Sequence, residues 1–285
     1  MNEPEAFKQH IRDQWDAVAA RWHRWTPVMS AQYAPATELM LDLAHLRPGD
    51  RVLHIAAGDG YQSIAAARRV GPTGHVLAVD LAPEQLKYAA AAARDAGVEH
   101  LETRVMDAEH LDLPDASFDA VLCQFGLMFL PDPDRGLREM LRVLKPGAWA
   151  SLVIAAAGGF PESELAASIV RDRLGDATPP ERTGWSLGGP GVLRERLERV
   201  GFRAVDSHEL TVPLRLPSTA DAVRYLRELH PTLEELMGKL TPVERDDVWG
   251  RVEAALARYV GPAGFESPNR VVVVAGQRAT QPTNR

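Results

Sequence analysis

Small and acidic residues follow short apolar runs in the first half of the chain, at a spacing that suits the binding of a nucleoside. The segment VLHIAAGDG at positions 52–60 ends in Ala56, Ala57, Gly58 and Gly60. Small side chains at the end of a strand let a ligand approach backbone N–H groups and the start of the next helix. Because short glycine loops also form ordinary turns, this segment alone does not identify a site.

Two aspartates follow later apolar runs. Asp80 ends the run VLAVD, where a carboxylate can accept hydrogen bonds from a ribose diol. Asp107 follows the next run and, with Ala108, could contact the amine and a ring nitrogen of adenine. Either aspartate could instead cap a helix or lie in a plain loop. Together with the glycine loop they favour a nucleoside site, whereas AAGDGYQS does not supply the third glycine of the nicotinamide dinucleotide fingerprint.

The elements that would position these residues alternate between strands and helices, which predicts an α/β fold with a mostly parallel sheet. Strands are predicted at 51–56, 75–79, 101–105, 120–124, 148–155, 202–210 and 270–276. Helices are predicted at 61–70, 83–96, 133–144 and 189–200. Glycine or proline directly beyond most of these helices provides their ends.

The remaining segments surround this core. A stripe of apolar residues at steps of three or four predicts an amphipathic helical cover over 1–40, and its members are Phe7, Ile11, Trp15, Val18, Trp22 and Trp25. We predict a cofactor-binding core over 41–156, a core helix and strand over 189–210, and a terminal strand and tail over 270–285. Insertions at 157–188 and 211–269 are candidates for a substrate lid.

Composition narrows the classes of partner. A hydrophobic fraction of 45% and a charged fraction of 25% are ordinary for a globular protein. The net charge of -7 provides no basic field for nucleic acid, and the single cysteine excludes an intramolecular disulfide or a multi-cysteine zinc site. Without a signal-peptide core or a bilayer-spanning stretch, we expect a cytoplasmic protein with a small-molecule substrate, no metal and no membrane span. The sequence is compatible with a homodimer.

The ordered set VLHIAAGDG, VLAVD, VMDAE and FDAVLCQFGLMFLPDPDRGLREMLRVLKPG resembles the type 11, ubiquinone and menaquinone biosynthesis-like group of class I S-adenosylmethionine-dependent methyltransferases. The resemblance is close over 47–153. It implies a Rossmann-like seven-stranded sheet with one antiparallel strand, and S-adenosylmethionine as cofactor with S-adenosylhomocysteine as product. By this resemblance, the loop around the methionine end of the cofactor is formed by Ala56, Ala57, Gly58 and Gly60, and the ribose and adenosine lie near Asp80, Leu81 and Gln85. The resemblance also implies that the adenine is held by Asp107 and Ala108, and that the sulfonium is approached by Cys123, Gln124 and Phe125.

Two positions depart from the family pattern. His54 stands where members usually carry an acidic residue, and Ala56 stands where they usually carry a glycine. The acidic residue commonly supports the loop and the ammonium group of the cofactor. The resemblance therefore implies cofactor binding more strongly than it implies how the methionine end is recognised.

Methyl transfer needs mainly alignment and exclusion of water, and a general base only when the acceptor keeps its proton until late. Among the histidines, His230 in the second insertion is the candidate base, with an exposed helix end as the alternative. Aromatic and apolar residues suggest a pocket for a planar or apolar substrate, although core packing would also explain them. These residues are Trp22, Trp25, Tyr33, Phe125 and Met128.

The leading hypothesis is a methyltransferase acting on an apolar or aromatic small molecule in secondary or quinone-like metabolism, with an oxygen, nitrogen or carbon acceptor. One alternative is a cyclase or pericyclase that uses the sulfonium as a fixed charge. The other is a non-catalytic binding protein on the same scaffold, suggested by His54 and Ala56.

Overall fold

The structure, a computed structural model, describes residues 3–175 and 184–280. Its helices are α1 (Glu3–Leu43), α2 (Tyr61–Val70), α3 (Pro83–Asp95), α4 (Pro133–Val143), α5 (Pro161–Leu174), α6 (Val192–Val200), α7 (Thr219–Leu229), α8 (Pro231–Gly238) and α9 (Pro242–Leu256). Its strands are β1 (Arg51–Ile55), β2 (His75–Asp80), β3 (Leu101–Val105), β4 (Phe118–Gln124), β5 (Leu144–Ala155), β6 (Arg203–Thr211), β7 (Leu214–Leu216), β8 (Val260–Gly261), β9 (Gly264–Ser267) and β10 (Arg270–Gln277).

Seven strands form one sheet in the order β3-β2-β1-β4-β5-β10-β6. The strands from β3 to β5 pair in parallel, and β10 is antiparallel to both β5 and β6. Both faces are covered, so alternate residues of β1 enter different cores: Val52 packs with α1 and α2, and Leu53 with α4 and α6. This confirms the predicted Rossmann-like α/β fold with one antiparallel strand.

The strand β5 begins four positions earlier than the predicted start at 148, directly after α4. It runs through Pro146 and Gly147, where its pairing with β4 shifts from Phe118–Leu144 to Ala120–Trp149. Proline is tolerated at such an irregularity because a ladder hydrogen bond is already missing. The N–H of Gly147 instead donates to the carbonyl of Arg278 at 2.9 Å.

The helix α1 continues through Pro27 and Pro35 as one element of 41 residues. Its second half is buried in the core through Met29, Tyr33 and Met40. Its residues 8–26 cross the carboxyl edge of the sheet, as their contacts with the segments after β1, β2 and β3 show. The helical cover predicted for 1–40 is therefore present and is anchored at its C-terminal end.

The insertions form a layer on the other side of α1. The Trp25 Nε1–H donates to Glu228 Oε2 at 2.8 Å, and Arg21 pairs with Glu234 at 3.2 Å. The strands β7, β9 and β8 form a separate small sheet in this layer. Positions 176–183 of the first insertion, 1–2 of the cover and 281–285 of the tail lie outside the described residues.

Candidate functional site

A cleft with an empty volume of about 1100 Å³, including space open to solvent, lies at the carboxyl ends of β1 to β4 beneath α1. In open α/β sheets ligands bind at this edge, where the strand order reverses, here between β1 and β4. Of the residues predicted for the site, those that line the cleft are Ala56, Ala57, Gly58, Asp80, Leu81, Gln85, Asp107, Ala108, Gln124, Trp22, Tyr33 and Phe125.

The loop between β1 and α2 is fixed by close backbone contacts. A Cβ on Gly60 would lie 2.7 Å from the Cβ of Ala89 in α3, so this position has no room for a side chain. A Cβ on Gly126, in the turn after β4, would overlap the Cβ of Ala56. Ala56 and Phe125 themselves have φ values of +53° and +57°, which cost about 1 kcal/mol or more for residues with a Cβ. The two loops are thus strained and packed against each other at the floor of the cleft.

Asp80, at the end of β2, connects the glycine loop to the start of α3. Its Oδ2 accepts a hydrogen bond from the N–H of Gly58 and its Oδ1 accepts one from the N–H of Ala82, both at 2.9 Å. Burial raises the pKa of Asp80, and these backbone donors oppose the rise. A carboxylate has about four acceptor sites, so Asp80 keeps acceptor capacity for a ligand in the cleft.

Asp107 is paired with a residue of α1 that the sequence did not single out. Lys8 Nζ lies 2.6 Å from Asp107 Oδ2 and also pairs with the buried Glu109. Burial opposes ionisation of Asp107, but Lys8 and the N–H of Glu109 outweigh it and lower its pKa. The pair closes α1 over the end of the cleft that the resemblance assigns to adenine.

The roof of the cleft is aromatic. The ring of Trp15 makes edge contacts with Trp22 and Phe129 at centroid distances of 5.0 and 5.3 Å, and Tyr33 contacts Phe125 at 4.9 Å. The lining residues outside the predicted site set include Lys8, Ile11, Arg12, Trp15, Met29, Asp59, Tyr61, Gln62 and Phe129. The stripe on α1 already contained Ile11 and Trp15 and could have indicated them, whereas the polar residues had no periodic signal.

Cys123 and Gly60 do not line the cleft. The Cys123 side chain is 1% exposed, and a Cβ on Gly126 would lie 2.9 Å from its sulfur, so the thiol lies beneath the turn after β4. Burial raises the pKa of Cys123 to about 12, which keeps the thiol neutral. Of the segment predicted to approach the sulfonium, Gln124 reaches the cleft because side chains alternate along β4, and Phe125 reaches it from the turn beyond the strand, where its φ is +57°.

Three residues predicted for substrate or catalysis also lie elsewhere. Trp25 faces the insertion layer and contacts Tyr225 edge-on at 5.2 Å, and Met128 packs against both cores. His230 lies behind α1, with its Nε2 3.3 Å from the Ser163 hydroxyl. Within the described parts of the two insertions, 157–175, 184–188 and 211–269, no residue lines the cleft, and the element that covers it is α1. A base role for His230 stays a prediction without support from the cleft.

His54 is fully buried on the face of β1 that packs under α2. Its Nδ1 lies 2.6 Å from the hydroxyl of Ser63, and its Nε2 has no hydrogen-bond partner. Burial lowers the pKa of His54 to about 4, so the ring is neutral near pH 7. His54 therefore supplies neither a charge nor a contact to the cleft.

Over residues 3–175 and 184–280, no group of three or more His, Cys, Asp or Glu side chains could hold a metal ion. Helices within the same ranges include none that is both long and apolar enough to cross a bilayer.

Comparisons with known sequences point to one family. A family model described as a methyltransferase domain matches residues 53–152. The ubiquinone/menaquinone biosynthesis C-methyltransferase UbiE of Ectopseudomonas oleovorans is 37% identical over 147 residues, which cover 50% of this chain and 86% of that protein. The UbiE protein of Pseudomonas putida (strain GB-1) is also 37% identical over 147 residues, and these cover 57% of its length. The matched segment thus spans most of one relative and little more than half of the other.

Solved structures share the fold over most of the chain. YcgJ from Bacillus subtilis superposes with a TM-score of 0.60 at 20% identity, covering 86% of this chain and 99% of that protein. The [4+2]-cyclase SpnF superposes with a TM-score of 0.59 at 19% identity, covering 96% of this chain and 97% of that protein. At these identities the likeness establishes the fold alone.

Proposed function

The chain belongs to the UbiE-like group of class I S-adenosylmethionine-dependent methyltransferases, and from this membership we propose that it methylates an apolar or aromatic small molecule. Its cofactor is S-adenosylmethionine. The relatives are named as C-methyltransferases of ubiquinone and menaquinone biosynthesis, which favours a carbon acceptor on a quinone-like ring.

The observation that carries the proposal is the shared cleft of the glycine loop, Asp80 and Asp107. Polar groups in it suit an adenosine: Asp80 has free acceptor sites, and Gln85 Oε1 is buried without a hydrogen-bond partner. Nothing lies within 4 Å of the position that a Cβ of Gly58 would occupy, which leaves space for close approach to the backbone. These features support the ribose role of Asp80, the adenosine role of Gln85 and the methionine role of the loop.

When bound, S-adenosylmethionine supplies a methyl group already activated by its sulfonium. The residues of this chain then need to align the acceptor and exclude water. Trp15, Trp22 and Phe129 form an apolar roof, and their rings suit both a planar acceptor and a nearby positive charge. Tyr33 and Gln124 add polar groups to the lining.

The test combines binding and turnover. Isothermal titration with S-adenosylmethionine and S-adenosylhomocysteine should show binding, and mass spectrometry with a panel of quinols and phenols should show a product heavier by one methyl group. If neither S-adenosylmethionine nor S-adenosylhomocysteine binds, the proposal is overturned. A rearranged product of unchanged mass, formed only with the cofactor present, would instead support the cyclase alternative.

A further inference from the structure

Within the part of the chain that the structure describes, three carboxylates line the cleft, and they differ in what compensates their charge. Asp107 is paired with Lys8, and Asp80 accepts two backbone N–H groups that also hold the loop. Asp59, between the two glycines of the loop, is only 4% exposed. Its surroundings therefore decide whether a cationic ligand group is needed there.

Asp59 has polar neighbours but no strong cation. Its carboxylate accepts a hydrogen bond from the Thr26 hydroxyl, and the Nδ1 of His23, a 44% exposed side chain, lies 3.8 Å away. Among the described residues no lysine or arginine comes within 4.0 Å of it. Burial raises the pKa of Asp59, with Thr26, His23 and the backbone N–H of Tyr61 opposing the rise. A buried carboxylate without a cation is costly, and a bound cation would remove much of this cost.

The cofactor offers two positive groups, the sulfonium and the α-ammonium of its methionine end. Only the ammonium has N–H donors for a carboxylate. His54, at the position where the family usually has an acid, is neutral and faces away from the cleft. The chain therefore needs a different carboxylate if the ammonium is to be recognised by charge.

We infer that Asp59 binds the α-ammonium group of the cofactor and replaces the missing acidic residue at position 54. The inference rests on the proposed function, because it concerns the cofactor of that reaction. It makes Asp59 a binding residue for the methionine end only, with no contact to the adenosine. Ligands with and without the amino-acid end should therefore respond differently to its substitution.

Isothermal titration of two ligands tests this difference. S-adenosylhomocysteine has the α-ammonium, whereas 5′-methylthioadenosine shares its adenosine and thioether but has no amino-acid end. Asp59→Asn should weaken S-adenosylhomocysteine binding by about tenfold or more, since charged hydrogen bonds contribute about 1.5–3 kcal/mol. Binding of 5′-methylthioadenosine should stay within about twofold. Asp59→Glu keeps the charge. It should therefore retain more of the preference for S-adenosylhomocysteine over 5′-methylthioadenosine than Asp59→Asn does.

Asp80→Asn is the matched control. Asp80 is proposed to face the ribose that both ligands share, so its substitution should weaken the binding of both ligands. If Asp59→Asn leaves the ratio of the two affinities unchanged, the inference about Asp59 is overturned while the proposed function stands. If the wild-type protein binds neither ligand, the proposed function fails first. Should Asp59→Asn not fold, as judged by circular dichroism, Asp59→Ser provides the same loss of charge for the comparison.

Discussion

At the scale of single residues, His54 changes the chemistry of the first strand. A buried acid at this position would need donors or a cation, whereas the neutral ring needs only the Ser63 hydroxyl at 2.6 Å. Its Nε2 has no partner, so the ring already carries the cost of one buried polar atom. Protonation would add a buried charge to that cost, which couples folding to pH.

We predict that His54 makes the protein less stable as the pH falls from about 6.5 to about 4. The folded-state pKa of His54 is lowered to about 4, below its ordinary value of 6.5, so between these values the unfolded chain binds the extra proton. Acid therefore favours unfolding in this window. His54→Asn cannot titrate, and it should reduce the slope of unfolding free energy against pH by up to about 1.4 kcal/mol per pH unit near pH 5.

Urea denaturation between pH 4.5 and 7 measures this slope. His230 provides a matched comparison, because burial lowers its pKa to about 4 as well. His230→Asn should change the slope in the same direction, and the two changes should add in the double variant. An unchanged slope in His54→Asn would show that the ring does not titrate as its surroundings predict.

At the scale of elements, the floor of the cleft depends on contact between two loops. Ala56 after β1 and Gly126 after β4 approach so closely that a Cβ on Gly126 would overlap that of Ala56. The φ of +53° at Ala56 and of +57° at Phe125 places strain in both loops. Surrounding structure must hold such conformations, so these loops should respond strongly to small changes in volume.

Gly126→Ala should destabilise the fold by about 1–3 kcal/mol because of this overlap. Adding Ala56→Gly should restore part of the loss, since it removes one of the clashing atoms. Gly250 in α9 is the control, because a Cβ there meets nothing within 4 Å and the residue is exposed. Gly250→Ala should stabilise by about 0.5–1 kcal/mol in the same thermal or urea unfolding assay. Equal effects of the two alanine substitutions would refute the proposed loop contact.

At the scale of the whole molecule, α1 lies between the sheet edge and the outer helices. Its first half is held by ion pairs and hydrogen bonds on both sides, from Lys8 to Asp107 and from Arg21 to Glu234. The Arg21–Glu234 pair is partly exposed, and pairs of this kind contribute little individually. Its second half is buried through Met29, Tyr33 and Met40. The two halves should therefore differ in local stability, and the weaker half covers the cleft.

Hydrogen exchange should reveal this difference. Backbone amides at 8–16 are expected to exchange faster than those at 33–41, and S-adenosylhomocysteine should slow the first group by about tenfold or more through closure over the ligand. Lys8→Met removes the pairs with Asp107 and Glu109 and should speed exchange at 8–16 in the free protein. Uniform exchange along α1 would mean that the helix opens only with the whole fold.

The strands and the two aspartates, Asp80 at the end of β2 and Asp107 after β3, could be predicted because they depend on neighbours along the chain. Apolar runs, small residues and helix ends are local signals, and the strand 101–105 and the helix 61–70 were predicted to the residue. The prediction for the start of β5 was less accurate, because a strand tolerates Pro146 and Gly147 only where its pairing with β4 is irregular. The sequence assigned the lid to the insertions because no local signal shows whether the insertions or α1 cover the cleft.

The sequence by itself determined the fold class, the positions of the core strands along the chain and the edge at which a nucleoside would bind, because periodicity and loop chemistry act over a few residues. Only the tertiary structure decided which residues share the cleft. Lys8 meets Asp107 across 99 positions, and Thr26 meets Asp59 across 33. Such pairs depend on where a long helix crosses the sheet, which is set by packing of Met29, Tyr33 and Met40 against the core rather than by any motif.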